Sequence, residues 1–143
     1  MSLHGTYDDQ NIFAKILRGE APCVKVYEDD HVLSFLDIFP QSKGHTLVIP
    51  KEPARNLLEI SEDGAAEAIK RVKKVAQAVE SALKPDGVTI AQFNGAPAGQ
   101  TVYHIHFHII PRWDGQDIAG HGSAGRADMD ELNALSETIK AAL

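Results

Sequence analysis

"YHIHFHIIPRW", residues 103–113, places His104, His106 and His108 at every second position of one short apolar stretch. Side chains on a strand alternate between faces, so positions i, i+2 and i+4 point the same way. On a strand the three imidazoles share a face, with neighbours roughly 7 Å apart. The opposite face then carries Tyr103, Ile105, Phe107 and Ile109, an apolar surface ready for a core. A helix would scatter the histidines around its circumference, so the spacing predicts a strand over 101–111.

Moving outward, "VTIAQF" (88–93) reads as the strand before it, and "NGAPAGQ" (94–100) as the small-residue loop between them. Further upstream, "VKVYED" (24–29) and "HVLSFLDI" (31–38) pair around a turn at Asp29–Asp30, and "GHTLVIP" (44–50) is a strand stopped by Pro50. Ile12, Phe13, Ile16 and Leu17 have helical spacing, ending at Gly19 and Pro22. The longest helix runs from Ser61, its cap, to Leu83, with Ile69, Val72, Ala76, Val79 and Leu83 as the buried stripe. Glu67, Lys70, Lys73, Lys74 and Glu80 form its solvated side. A Gly-rich tract (113–128) is read as a linker in preference to an ordered lid, and a last helix carries Met129, Leu132, Leu135 and Ile139. The expected fold is α+β: a mainly antiparallel five-stranded sheet with a long helix and a C-terminal helix. Residues 1–9 form a tail, 10–113 the core of the domain, and 114–143 a Gly-rich segment and helix belonging to the same domain.

At 143 residues the chain is one ordinary domain, long enough to bury a core without disulfide staples. Cys23 is the only cysteine, which excludes an intrachain disulfide and a multi-cysteine zinc site. A net charge of -6 with no dense basic run argues against bulk nucleic-acid or anionic-membrane binding, while leaving room for a local phosphate pocket. No apolar run approaches the ~20 residues of a membrane span. "MSLHGTYDDQ" has no apolar signal core, which points to the cytoplasm, and its first residues read as a loose tail.

Three histidines in register admit three uses. They can be buried and hydrogen-bonded, but each must then find polar partners. They can bind a metal: His-x-His on a strand aims two imidazoles at one ion, and Asp37, His45 or His121 could supply another ligand. Or they can do covalent and acid–base chemistry on a phosphate. A neutral imidazole is a good nucleophile near pH 7, and flanking imidazoles can hold its tautomer, donate to phosphate oxygens and protonate a leaving group. The loop "GAPAGQT" favours this use, offering Gly95, Gly99, backbone N–H groups and the Thr101 hydroxyl to an anion.

"AGQTVYHIHFHIIPR" resembles the His-x-His-x-His signature of the histidine triad, or HIT, superfamily of nucleotide hydrolases and transferases. "NIFAKILRGEAP" and "VYEDDHVLSFLDIFPQSKGHTLVIPK" are similar to the family's upstream half, so the resemblance covers roughly residues 10 to 113. It is nearest to the Hint-like branch of purine nucleoside phosphoramidases. The resemblance implies that His106 attacks the α-phosphorus, giving a covalent nucleotidyl-histidine that water hydrolyses to AMP. It makes His108 the residue that contacts the phosphate and helps the leaving group, with His104 and His45 supporting the relay. Asp37 would accept hydrogen bonds from the ribose hydroxyls. Ile12, Phe13, Ile16, Phe35 and Ile38 would sandwich the purine. Gly99, Gln100 and Thr101 would lie beside the phosphate. No cofactor is required, and a homodimer is expected, with the long helix and a strand at its interface.

Two departures stand out. Many bacterial members carry Cys-x-x-Cys where this chain has Asn11-Ile12-Phe13-Ala14, so their structural zinc is not expected. Phe93 occupies the position of a family Asn or Gln, a role that Asn94 could take over if the loop shifts. The alternatives left standing are a dinucleoside polyphosphate hydrolase, a nucleotide-binding regulatory or scaffold protein, and a metalloprotein built on the histidine strand.

Overall fold

The computed structural model describes residues 2–116 and 125–143. The linker reading of the Gly-rich tract and the candidate ligand His121 fall largely or wholly outside these residues. The elements are α1 (Ile12–Leu17), β1 (Lys25–Glu28), β2 (Val32–Leu36), β3 (Thr46–Pro50), α2 (Glu62–Leu83), β4 (Gly87–Ala91), β5 (Phe107–Arg112) and α3 (Met129–Lys140). The strands form one five-stranded sheet in the order β1-β2-β3-β5-β4, with every neighbour antiparallel. Among the described residues no helix is long and apolar enough to cross a membrane.

Strand alternation divides the core in two. Val32 and Leu36 of β2, Val48 of β3, and Phe107 and Ile109 of β5 face α2 and α3. Leu33 and Phe35 of β2 and Leu47 and Ile49 of β3 face the other way, toward Phe13 of α1. Both faces are covered, so β2 and β3 are buried along their whole length. Each wholly buried Val, Leu or Ile contributes about 1.5–3 kcal/mol relative to an exposed one. Register then sets the site: Phe35 lies opposite Leu47, and Leu47 opposite His108. Directly opposed residues share a face, so one row on the α1 side runs from an aromatic ring to a histidine.

The turn between β1 and β2 is held by Asp29. Its carboxylate accepts from the N–H groups of His31 and Val32, from Tyr27 Oη at 2.7 Å and from Arg71 Nε at 2.8 Å. Burial pushes its pKa up, but these donors together outweigh it and hold the group well below the usual carboxylate range.

Three expectations need correcting. The last sheet strand starts at Phe107, not at Thr101. Pro50 has no N–H, and its carbonyl accepts from the His104 ring at 2.7 Å, so the β3–β5 ladder ends at Val48–Phe107. Second, Ile69 of α2 is 51% exposed; the buried line is Ala68, Val72, Val75, Ala78 and Val79, with Ala76 and Leu83 partly buried. The two sets share Val72 and Val79, and the buried face is rotated from the expected one toward Ala68, Val75 and Ala78. Ser61 does cap α2, accepting from the Gly64 N–H at 2.9 Å. Third, Met129 is exposed in the first turn of α3, while Leu132, Leu135 and Ile139 are buried as expected.

Candidate functional site

His108 stands in mid-β5 on the α1 side, with His45 just before β3. Gly44, at φ 89°, lets the chain turn into His45; a Cβ there would lie 2.3 Å from the Leu83 side chain. The His45 ring accepts from the Gln41 N–H on Nδ1 at 3.0 Å, so in the neutral ring Nε2 carries the hydrogen. That hydrogen points at His108 Nδ1, 2.9 Å away, which therefore accepts. His108 is left with its own hydrogen on Nε2. The Asp37 carboxylate lies 3.6 Å from His45 Nε2, and its Oδ1 accepts from the Phe39 N–H at 2.8 Å.

His106 is anchored in the opposite sense. Its Nδ1 lies 2.7 Å from the His104 carbonyl, an acceptor only, so Nδ1 holds the hydrogen and Nε2 the lone pair. The edge-on ring of Phe13 lies 4.8 Å away, and the His106 and His108 centroids are 5.0 Å apart. The arrangement thus sets an imidazole lone pair beside an imidazole N–H. Both residues line one cavity of about 370 Å³.

His104 does not share that cavity. Its ring is wholly buried, with Nε2 on the Pro50 carbonyl and Nδ1 2.6 Å from Tyr7 Oη. Residues 102–104 are bent, so the strict alternation of a strand does not extend to them. His104 joins the site through its main-chain carbonyl, not through its imidazole. Burial pushes its pKa down, the Pro50 bond opposing only in part, which favours the neutral ring.

The cavity gathers most of the expected base-binding residues. Phe13 and Ile16 of α1, Phe35 of β2 and Ile38 after it form apolar walls, with Phe13 edge-on to Phe35 at 5.6 Å. Ile12 is 48% exposed at the mouth. Asp37 and Thr101 also line it, Thr101 at the exposed rim. Leu47, Val102 and Cys23 line it too, and sequence reasoning missed them. Leu47 could have been found from the β2–β3 pairing, since it lies opposite Phe35.

The small-residue loop behaves differently from expectation. Gly95 N–H donates to the Gln100 side chain, Ala96 N–H to Ser2 Oγ, and the N–H groups of Ala98, Gly99 and Gln100 to carbonyls within the loop. In this structure these donors are engaged within the loop and by Ser2. Gln100 is a buried strut whose amide donates to the carbonyls of Arg55 and Val102. Asn94 is a turn residue: its Oδ1 accepts from Leu57 N–H and the Gln92 amide. Asn94 is not among the residues lining the cavity. The Phe93 ring lies 5.3 Å from His108, with Gly99 close against it.

Asp37, His45 and His108 bring one possible ligand atom each within 4.8 Å of one another, and are the described residues best placed to hold a metal ion. The Cys-x-x-Cys positions do not fit zinc. Asn11 caps α1 by accepting from the Ala14 N–H, and Ala14 is buried without any donor side chain.

Comparison with known proteins places the whole chain. The HIT domain model matches residues 18–115. Adenosine 5'-monophosphoramidase hnt1 of Schizosaccharomyces pombe is 43% identical over 129 residues, covering 90% of this chain and 94% of that protein. Adenylylsulfatase HINT3 of Arabidopsis thaliana is 38% identical over 122 residues, covering 81% of this chain and 62% of that protein. Among solved structures, a Hit-like protein involved in cell-cycle regulation from Bartonella henselae superposes with a TM-score of 0.91 at 48% identity, covering 97% of this chain and all of that one.

Proposed function

This chain belongs to the HIT domain family, and from that premise we propose that it hydrolyses purine nucleoside phosphoramidates through a nucleotidyl-His106 intermediate. The observation that carries this reading is the pair of contacts His106 Nδ1–His104 carbonyl at 2.7 Å and His45 Nε2–His108 Nδ1 at 2.9 Å, which in neutral rings assign a lone pair to His106 Nε2 and a hydrogen to His108 Nε2, the rings being 5.0 Å apart. The purine lies between the apolar walls and Asp37 takes the ribose hydroxyls. The α-phosphorus then comes to His106.

His106 Nε2 attacks phosphorus and the P–N bond breaks. Its electron pair leaves on nitrogen, which departs as a neutral amine from the N-protonated phosphoramidate. His108 Nε2–H donates to the phosphoryl oxygens as charge gathers there. The His104 carbonyl, already bonded to Nδ1–H, stabilises the imidazolium that forms on His106. Water then displaces Nε2, releasing the nucleoside monophosphate and one proton, which the departed amine takes up. No resident metal enters this sequence of steps.

Phe93 favours an amine leaving group over a polyphosphate. An apolar ring beside His108 offers nothing to a multiply charged chain. A homodimer accompanies this reading: Ile69 of α2 and Ile90 of the edge strand β4 are 51% and 45% exposed and line one apolar groove. That pairing would cover both the groove and the sheet edge.

Rapid-quench intact mass spectrometry with an adenosine phosphoramidate tests the mechanism. A transient gain of one AMP is expected in the wild type and not in His106→Ala. Product formation by both proteins with no adduct would overturn the covalent route.

A further inference from the structure

The N-terminal residues, expected to be a loose tail, form a strap across the back of the site. Arg55 donates to the carbonyls of Ser2 and Thr6 at 2.9 and 3.3 Å, and Asn56 donates to the carbonyl of Leu3 at 2.7 Å. Ser2 Oγ accepts from the Ala96 N–H, which ties the strap to the Gly-rich turn. On the other side, the Asp8 and Asp9 carbonyls accept from Asn11 and Arg18, which flank α1. Between these moorings Tyr7 reaches inward, its ring edge-on to His104 with centroids 5.7 Å apart.

We propose that Tyr7 is a positioning residue for the nucleophile, holding His104 so that its carbonyl keeps His106 in the attacking tautomer. The proposal rests on the functional reading above for its kinetic consequence, and on geometry alone for the linkage. The neutral His104 ring has one hydrogen. The Pro50 carbonyl, an acceptor only, takes it from Nε2, so Nδ1 must be matched by a donor, and the Tyr7 hydroxyl at 2.6 Å is that donor. Burial raises the Tyr7 pKa and lowers that of His104, keeping both neutral and the direction of donation fixed.

The linkage matters because residues 101–106 lie outside the strand ladder. This stretch is held by separate anchors: the Gln100 amide on the Val102 carbonyl, the Ile105 N–H on the Ala54 carbonyl, and the His104 ring between Tyr7 and Pro50. Remove the hydroxyl and a buried acceptor loses its donor, which drives the ring to turn or to admit water. The His104 peptide turns with it, and that peptide supplies the carbonyl 2.7 Å from His106 Nδ1. Tyr7 itself does not line the nucleotide cavity.

Tyr7→Phe keeps the ring and removes the hydroxyl. At a temperature where both proteins are folded, kcat is expected to fall about tenfold with KM changed less than twofold. Nitrogen-15 spectra of the histidine side chains are expected to change from a single Nδ1–H form of His106 to a mixture. A companion protein with 3-fluorotyrosine at position 7, assayed at a pH where its hydroxyl is protonated, keeps the donor; its His104 Nδ1 resonance is expected to shift while His106 keeps its single Nδ1–H form and kcat stays near that of the wild type. A lower melting temperature with kcat and the His106 nitrogen pattern unchanged would reduce Tyr7 to a structural strut and overturn the proposal. If the wild type turned over no nucleotidyl substrate, the functional reading would fail, while the nitrogen spectra would still decide the linkage.

Discussion

Replacing Asp37 with asparagine separates two jobs that the carboxylate does at once. Oδ1 accepts from the Phe39 N–H at 2.8 Å, and an asparagine carbonyl keeps that bond. The second oxygen, 3.6 Å from His45 Nε2 on a residue that lines the cavity, loses its charge and is replaced by a donor. Asp37 is only 6% exposed, so the proposed hydrogen bonds to a ribose would be poorly screened. A hydrogen bond to a charged group is worth about 1.5–3 kcal/mol. Asp37→Asn is therefore expected to weaken AMP binding roughly 10- to 150-fold, at about 1.4 kcal/mol per factor of ten. Isothermal titration against AMP and 2',3'-dideoxy-AMP completes a cycle. The wild type is expected to prefer the ribose form by about that factor, and Asp37→Asn to lose the preference. If the variant bound both ligands equally weakly but the wild type never distinguished them, Asp37 would act through Phe39 and His45, and the ribose assignment would be wrong.

Two other perturbations test the frame and the metal-free reading. Asp29 ties the β1–β2 turn to Arg71 of α2, and Asp29→Asn is expected to cost about 2 kcal/mol at pH 7 by urea denaturation. Because the folded pKa is depressed, that contribution is complete above the unfolded value of about 3.9 and is lost as pH falls below it. The wild-type advantage should thus shrink by pH 2.5; a gap that stayed constant would point to packing instead of charge. Dialysis against a strong chelator, checked by elemental analysis, is expected to leave kcat unchanged. A loss restored by added metal would turn attention to Asp37, His45 and His108.

Much of the frame was legible because period-2 and period-3.6 patterns are local. The β1–β2 hairpin, the Ser61 cap and the α1 apolar positions need only neighbouring residues to be read, and each lies where those neighbours placed it. The long helix was legible in extent and not in facing. Ile69 and Ala68 are adjacent in sequence, and only the sheet beneath chose between them. Likewise, nothing local to the small-residue loop shows that its N–H groups donate to the Gln100 side chain, to Ser2 Oγ and to the carbonyls of Gly95 and Ala96.

The sequence alone determined the kinds of group available: four histidines able to form a relay, a carboxylate at the end of a strand, and an apolar helix to wall a base. Side-chain chemistry travels with the residue. What each histidine does was decided in three dimensions, because a neutral imidazole's tautomer depends on which nitrogen meets a donor and which an acceptor. Those partners come from Gln41, Pro50, the His104 carbonyl and Tyr7, the last 97 positions away from the ring it holds. No spacing rule within 103–113 contains that information, and so the three evenly spaced histidines have three different sets of hydrogen-bond partners.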